Sequence, residues 1–377
     1  MATETVKVEV KRNLALDSYR GFVMLLMMAE VLRLSQVARA FPENWFWNFL
    51  AFHQSHVAWA GCSLHDTIQP GFSFLVGAAL PYSIAARVAR GGTFWKLFGH
   101  ALWRSLVLIA LGIFLRSVGR PMTNFTFEDT LTQIGLGYPF LFLLGWKPPK
   151  WMWTALGVLL AGYWLAWALY PADPTAFPQY TGLAAHWNKN ANFGTAFDQW
   201  FLNLFPRTSP FTANGGGYLT LSFIPTLGTM LLGLAAGRWL RESAPAIPYR
   251  KLLVAAVVGV AAGGLLHFTG ICPVVKRIWT PSWTLFSGGL CFGFLALFCR
   301  LPAPSFLLVI GTNSIAAYVI AHLWEKFIED SLRIHLGARA FQFLGVEYEP
   351  LISGLAVLGV YWLVLYWMYR RKLFLKI

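Results

Sequence analysis

Charged side chains are scarce in this sequence. Only 12% of the 377 residues are charged, whereas 57% are hydrophobic and 16% are aromatic. So few charges cannot cover a water-soluble globule of this size, which excludes an ordinary soluble protein and indicates a bilayer as the solvent. Acidic residues are especially few, 16 against 30 Lys and Arg. Because the basic residues lie in short loops rather than in one patch, we expect no nucleic-acid partner.

Metal-ligand patterns are also missing from the sequence. The chain has four cysteines, Cys62, Cys272, Cys291 and Cys299. Their spacing matches no metal site, and thiols in apolar segments usually pack. His53 and His56 are three residues apart, but the next histidine is distant, so the zinc pattern is incomplete. We therefore expect no metal.

Long apolar runs fill most of the chain. A helix needs about 20 apolar residues to cross the hydrocarbon core. Ten candidate runs are bounded by charges or prolines, at 20–36, 68–88, 101–118, 130–146, 151–170, 218–239, 251–268, 283–300, 305–322 and 351–370. The sequence therefore predicts an all-α polytopic membrane protein with about ten transmembrane helices. We expect a cytoplasmic leader over 1–19 and a single transmembrane domain over 20–377.

The distribution of basic residues predicts the orientation. If the leader is cytoplasmic, 19 of the 30 Lys and Arg residues fall on the inner side, so the positive-inside rule places both termini in the cytoplasm. Two long loops, 37–67 and 171–217, then lie on the outer face, and long ordered loops usually carry function. The second loop is rich in Trp, Asn, Phe and Gly, which suits a saccharide ligand or, equally, packing against lipid headgroups.

Polar groups near membrane depth are the candidates for chemistry, because they are costly there. A histidine with a nearby carboxylate, as in His56 and Asp66, is a common acid/base or nucleophile arrangement, although a histidine satisfied by headgroups is the alternative. Asp17 and Arg20 share one helical face, which is also typical of a structural ion pair. Glu30 repeats that spacing with the arginine at 33, and either pairs with it or faces a polar cavity.

Two further polar clusters have simple structural alternatives. Lys276 and Trp279 precede the eighth span, where a snorkelling lysine and a Trp belt are ordinary features. Asn313 and Ser314 lie in an apolar run and suit interhelical hydrogen bonds.

Several of these residues recur in ordered motifs. In chain order the motifs are Leu16-Asp17-x-x-Arg20-Gly21, His56-x-x-Trp59-x-Gly61-x-x-x-x-Asp66, Phe72-x-Phe74-x-x-Gly77, Leu131-x-Gln133-Ile134, Lys276-x-x-Trp279-Thr280-x-Ser282 and Gly311-x-Asn313-Ser314-Ile315. Together they resemble the transmembrane acetyltransferase family of heparan-α-glucosaminide N-acetyltransferase and its bacterial relatives, across about residues 13–322.

The sequence departs from the family pattern at three places. Glu30-Val31 stands where the family has Val-Asn, and Gln133-Ile134 lacks the family's arginine. Asn214 lies in a Thr-Ala-Asn-Gly segment that replaces the family's Asp-Pro-Glu-Gly, which we expect to reshape the acceptor pocket.

The resemblance implies transfer of an acetyl group from cytoplasmic acetyl-CoA to an amino sugar on the far side of the membrane. Acetyl-CoA is then a co-substrate, and Arg20, Arg87 and Arg104 are expected to hold its phosphates. His56 is expected to act as base or as acetyl carrier, and Asp66 to orient its ring or hold the acceptor. The expected substrate-binding residues are Glu30, Trp59, Asn214, Lys276, Trp279 and Asn313.

Two alternatives stay open at this point. One is a transporter for a small polar solute, with Glu30, His56 and Asp66 as a proton relay. The other is an O-acyltransferase for a surface polysaccharide. The expected partners are a saccharide acceptor and membrane lipid, and a homodimer is left open. The expected location is the bacterial inner membrane, since the additional segments of the animal enzyme are absent from this sequence.

Overall fold

The computed structural model describes residues 13–375. Residues 1–12, which include most of the expected leader with Lys7, Lys11 and Arg12, lie outside the described residues, as does Lys376. The helices are α1 (Leu14–Met28), α2 (Leu34–Ala40), α3 (Trp45–His53), α4 (Ile68–Val88), α5 (Phe94–Ser117), α6 (Thr130–Gly145), α7 (Pro149–Ala168), α8 (Phe193–Phe201), α9 (Phe223–Ser243), α10 (Tyr249–Phe268), α11 (Pro281–Arg300), α12 (Ser305–Thr312), α13 (Ser314–Leu336) and α14 (Glu349–Arg370). Short 3-10 turns join several of them.

Helix starts follow from the local sequence. Asn13 and Asp129 are N-caps whose side chains accept backbone N–H groups at the start of α1 and α6. Pro149 and Pro281 occupy the first turn of α7 and α11, where a missing N–H costs nothing. The predicted all-α class is therefore correct for the described residues, whose one extended pairing is an isolated bridge between Ala60 and Val275.

The core of the bundle is built around α9. In its apolar window 89% of the residues are buried, against 11% for the peripheral α10. Glycines let α4 and α9 approach closely, because a Cβ at Gly77 would overlap the carbonyl of Met230, and one at Gly233 would overlap the carbonyl of Phe74. Close backbone approach at small residues is the usual way that membrane helices pack.

The structure supports a polytopic membrane protein. Within residues 13–375, seven helices are long and apolar enough to cross a bilayer, and two bent helix pairs bring the number to as many as nine. The 16-residue α6 is a shorter apolar helix; at about 24 Å it falls short of the hydrocarbon thickness. The count of ten and the cytoplasmic placement of both termini stay predictions.

Several spans have different limits from those predicted. Helix α1 begins at Leu14, inside the expected leader, and α5 begins at Phe94 rather than 101. The bent pairs are α1 with α2, at an angle of 44°, and α12 with α13, at 79°.

We call the end of the bundle where α1 finishes and α4 starts the outer end, and the opposite end the inner end, following the predicted orientation.

The two long loops are ordered at the outer end. Loop 37–67 contains the end of α2 and all of α3, and loop 171–217 contains α8. They contact each other where the indole N–H of Trp59 donates to the carbonyl of Trp187 at 3.1 Å, with both side chains buried. The loops therefore form a folded layer over the outer ends of the helices.

Candidate active site

A cavity of about 520 Å³ lies under the loop layer at the outer end. Polar and titratable side chains dominate its wall, and they come from six separate parts of the chain. The titratable lining residues are Glu30, His56, His65, Arg116, Arg120, Glu128, Tyr218, Lys276, Tyr318 and His322. Such a concentration of titratable groups in one concave site is typical of a functional centre. We call this the outer cavity.

His56 and Asp66 form a hydrogen-bonded pair at the outer cavity. His56 Nδ1 lies 2.8 Å from Asp66 Oδ1. The second carboxylate oxygen of Asp66 accepts the N–H and the hydroxyl of Ser63, at 3.1 and 3.0 Å, and the N–H of Val57 at 3.3 Å. A carboxylate held at both oxygens fixes the ring, with a proton on Nδ1 and a lone pair on Nε2.

The environment of His56 favours its neutral form. Burial lowers the pKa of the imidazole, and the nearby Lys276 lowers it further, whereas Asp66 raises it. The net shift is downward, so the unprotonated ring is the main form at neutral pH. One third of the His56 side chain remains exposed. The residue thus combines access from the cavity with a free base.

Lys276 lies against the same ring. Its Nζ is 3.3 Å from both ring nitrogens of His56 and 4.0 Å from Asp66 Oδ1. Only 6% of the side chain is exposed, and burial lowers the pKa of Lys276 to about 8. The Tyr218 ring faces the ammonium at 5.6 Å, at the outer edge of the range for a cation–π contact. A cation next to a base can stabilise an oxygen that gains negative charge.

Glu30 belongs to a second carboxylate–imidazole pair. Its Oε1 lies 3.2 Å from His65 Nε2, and the ring centroids of His65 and His56 are 4.5 Å apart. Of the two sequence alternatives for Glu30, the structure favours the one that faces a polar cavity. Arg33 instead forms ion pairs with Glu325 and Glu329 on α13, at 3.3 and 2.5 Å.

A second cavity, of about 320 Å³, lies toward the inner end. Arg20, Arg87 and Arg104, which come from α1, α4 and α5, all line it. Arg20 is also 3.0 Å from Asp17 in the ion pair that the sequence suggested. Arg104 donates to the hydroxyl of Tyr138 at 3.2 Å. We call this the inner cavity because of its position. Most of its other lining residues are apolar, so it combines an apolar wall with three guanidinium groups.

The two cavities adjoin. Three residues, Phe72, Thr130 and Tyr318, line both of them. A molecule that reaches from the inner cavity into the outer one therefore passes these side chains.

This chain is similar to N-acetyltransferases of two mammals. No family model matches it. The sequence is 23% identical to heparan-alpha-glucosaminide N-acetyltransferase of Mus musculus, over 99% of this chain and 62% of the mouse protein. For the Homo sapiens protein of the same name, the identity is 23% over 96% of this chain and 59% of the human protein. The chain is a distant relative of these proteins. It spans about three-fifths of the length of either one.

Three residues that the resemblance assigns to substrate binding do not line either cavity. Trp59 is buried against the 171–217 loop, and Trp279 donates its indole N–H to Thr229 at 3.1 Å. Asn313 donates to the carbonyl of Leu373 and accepts from the N–H of Leu375, at 2.9 and 3.2 Å, which ties the α12–α13 bend to the end of the chain. Their contacts are those of supporting residues.

Asn214 does line the outer cavity, together with Glu30 and Lys276. Its side-chain oxygen accepts the N–H groups of Gly216 and Tyr218, at 2.8 and 3.3 Å. The segment that differs from the family motif therefore shapes the cavity wall, through an Asn-stabilised turn.

Other cavity residues belong to none of the motifs. Arg116 on α5 and Tyr318 and His322 on α13 lie in predicted spans, where a polar side chain is itself a signal, but only the tertiary structure brings the two helices together at the outer cavity. His65 is different, because it stands next to Asp66 in the histidine cluster. Within residues 13–375, no group of three or more His, Cys, Asp or Glu side chains is arranged to hold a metal ion.

Proposed function

We propose that the chain is a membrane-embedded acetyltransferase, which moves an acetyl group from cytoplasmic acetyl-CoA to an amino sugar or related saccharide on the outer side. One observation carries the proposal. A cavity with three arginines adjoins a cavity with a carboxylate-held histidine, and the two share three lining residues. The distant relationship to two N-acetyltransferases supports the same reaction class. The bacterial inner membrane stays the expected location.

The inner cavity suits the coenzyme A part of the co-substrate. Arg20, Arg87 and Arg104 come from three different helices, so their guanidinium groups surround one space. Guanidinium binds phosphate in a forked geometry and keeps its charge at any working pH. The apolar wall formed by residues such as Val76 and Leu108 suits the less polar pantetheine arm.

The outer cavity suits the chemical step. His56 Nε2 takes the proton that the acceptor ammonium loses, and the amine nitrogen then attacks the thioester carbonyl. As the new C–N bond forms and the C–S bond breaks, the nitrogen loses its second proton, and coenzyme A leaves as a thiolate that takes up a proton. In the second route His56 Nε2 attacks the thioester first, coenzyme A leaves as a thiolate, and the ring carries the acetyl group until the deprotonated amine accepts it. In both routes Lys276 stabilises the carbonyl oxygen as it gains negative charge.

The test is transfer of label by the detergent-purified full chain. Radiolabelled acetyl-CoA and glucosamine are incubated with the wild type, with His56→Ala and with His335→Ala as a matched control, since His335 is exposed at the end of α13. We expect labelled N-acetylglucosamine with the wild type and the control but not with His56→Ala. Equal transfer by all three proteins would contradict the assignment of His56.

A transporter is the second candidate function, because Glu30, His65 and His56 all line one cavity and lie in contact, with Asp66 behind His56. A transporter of small solutes needs no coenzyme A site. Thermal stabilisation by coenzyme A therefore discriminates between the two, since a ligand raises stability only if it binds the folded state. Absence of both a shift and transfer would favour the transporter.

O-acylation of a surface polysaccharide is the remaining alternative from the sequence. Hydroxylamine cleaves an ester under conditions that leave an amide intact, so treatment of the labelled product separates the two. Label that resists hydroxylamine supports N-acetylation, and released label supports the O-acyltransferase.

A further inference from the structure

The junction of the two cavities contains two aromatic rings. Phe72 on α4 and Tyr318 on α13 line both cavities, together with Thr130 at the start of α6. If the proposed function is correct, the acyl group meets these side chains on its way from the coenzyme to the acceptor. The size and rigidity of the junction then bear on which acyl group is transferred.

Tyr318 is firmly held in the junction. The side chain is buried, and its hydroxyl donates to the carboxylate of Asp129, with oxygens at 3.0 and 3.3 Å. Its ring also stacks on His322, with centroids 4.2 Å apart. If a buried hydroxyl rotates away from a charged acceptor, the free energy of a strong hydrogen bond is lost. The ring is therefore a fixed wall rather than a mobile side chain.

The carboxylate that holds Tyr318 is itself fixed. Only 1% of Asp129 is exposed, and its oxygens also accept the N–H of Leu131 at 2.9 Å and Nε of Arg116 at 3.1 Å. Arg116 lines the outer cavity and keeps half of its side chain exposed. Three elements, α5, α6 and α13, thus meet at one carboxylate beside the junction.

We infer that Tyr318, with Phe72, limits the transferred group to short acyl chains, so that the co-substrate class is acetyl-CoA and its shortest homologues. This inference rests on the proposed function. A rigid aromatic wall rejects added methylenes because it cannot move aside. Discrimination in a hydrophobic site amounts to about 10-fold or more per methylene. Tyr318 is in this view a specificity residue, and the acid/base chemistry stays with His56.

The test compares acyl chain lengths. Transfer to glucosamine is measured with acetyl-, propionyl-, butyryl- and hexanoyl-CoA, and the ratio of kcat/KM for acetyl to that for butyryl is the readout. We expect a ratio of about 100 or more for the wild type, and at least a 10-fold smaller ratio for Tyr318→Ala. Tyr318→Phe keeps the ring but loses the bond to Asp129, so its ratio should fall between those two values.

Two further variants serve as a second test and as a control. Phe72→Ala removes the other aromatic ring that lines both cavities and is judged by the same ratio, which keeps the inference testable if Tyr318→Ala does not fold. Tyr366→Ala is the matched control, because Tyr366 contacts Trp362 and Arg370 on α14 and lines neither cavity. Its ratio should equal that of the wild type.

The outcomes separate the inference from the proposed function. Transfer with an unchanged acetyl-to-butyryl ratio in Tyr318→Ala and Phe72→Ala would overturn the inference alone. No transfer from any acyl-CoA, together with no thermal shift by coenzyme A, would overturn both.

Discussion

The outer and inner cavities differ in how their charged groups are held. In the outer cavity, His56, Asp66 and Lys276 lie within 4.0 Å of one another, and they come from loop segments or from a helix start. In the inner cavity, the arginines project from the sides of three helices into a mostly apolar space. The first arrangement tunes protonation states, whereas the second presents fixed positive charge.

Because of this difference, we expect substitutions in the two cavities to affect different kinetic quantities. Groups that set each other's protonation act on the chemical step, so their loss should lower kcat. Groups that offer fixed charge to an anionic ligand act on affinity, so their loss should raise Kd or KM. The four predictions below test that separation, beginning with the largest effect.

Loss of Asp66 should have the largest effect among conservative changes. Asp66→Asn keeps the size of the side chain but no longer holds His56 Nδ1–H as a carboxylate does, so the free base at Nε2 is lost in part. We expect kcat to fall about 100-fold or more, in the range of general acid–base catalysis. The affinity for coenzyme A, measured by titration calorimetry, should stay unchanged. A rise in that Kd with normal kcat would show that the two cavities are not separate in role.

Loss of an inner arginine should act on affinity alone. Arg87→Ala removes one of three phosphate-binding candidates, and a charge-assisted contact contributes enough for a roughly 10-fold rise in the Kd for coenzyme A. Arg90→Ala is the control, because Arg90 lies on the same end of the bundle but is exposed and bonds to the carbonyl of Ala86. Equal Kd values for the two variants would remove Arg87 from the binding site.

The sequence indicates different features of the fold and of the two cavities. The pattern of apolar runs gives the all-α membrane class, and the three arginines that the resemblance assigns to phosphate binding line one cavity. Helix α5 nevertheless starts at Phe94, before the predicted start at 101, because Lys96 interrupts the apolar pattern although a long basic side chain can snorkel along a helix. The limits of a helix therefore cannot be taken from hydropathy alone.

The outer cavity shows what a motif can and cannot indicate. The spacing of His56 and Asp66 falls in one motif, and the structure brings them into contact. Trp279 falls in another motif, but its ring packs inside the protein and bonds to Thr229. A residue can belong to a motif because it packs inside the protein or because it takes part in the chemistry, and the motif alone does not distinguish the two. Tyr318 belongs to no motif, and it lies on α13 just after the bend from α12, where it lines both cavities.

Replacing Lys276 should lower kcat, because the contact to the carbonyl oxygen is lost. Its effect on the pH profile is separate and smaller. The positive charge of Lys276 lowers the pKa of His56. Lys276→Met removes that charge, so the pKa of His56 should rise, and more of the ring should be protonated at a given pH. The acid limb of the kcat/KM profile, measured between about pH 5 and 9, should therefore move to higher pH. Lys326→Met, at an exposed site on α13, should leave the limb where it is. A shift to lower pH would mean that His56 does not act as the unprotonated base.

The smallest effect is expected for Trp59, whose place in the loop layer assigns it to support rather than to either cavity. Trp59→Phe leaves the carbonyl of Trp187 without its indole donor, and an unpaired buried group costs about 1–3 kcal/mol. The midpoint of thermal unfolding should fall by roughly 1–2 °C per kcal/mol of lost stability. The KM for the acceptor should stay within about twofold of the wild type at a temperature where both proteins are folded, because Trp59 does not line the outer cavity. A large rise in this KM with an unchanged midpoint would place Trp59 in contact with the acceptor, and the acceptor site would then extend beyond the lining of the outer cavity to the Trp59 ring.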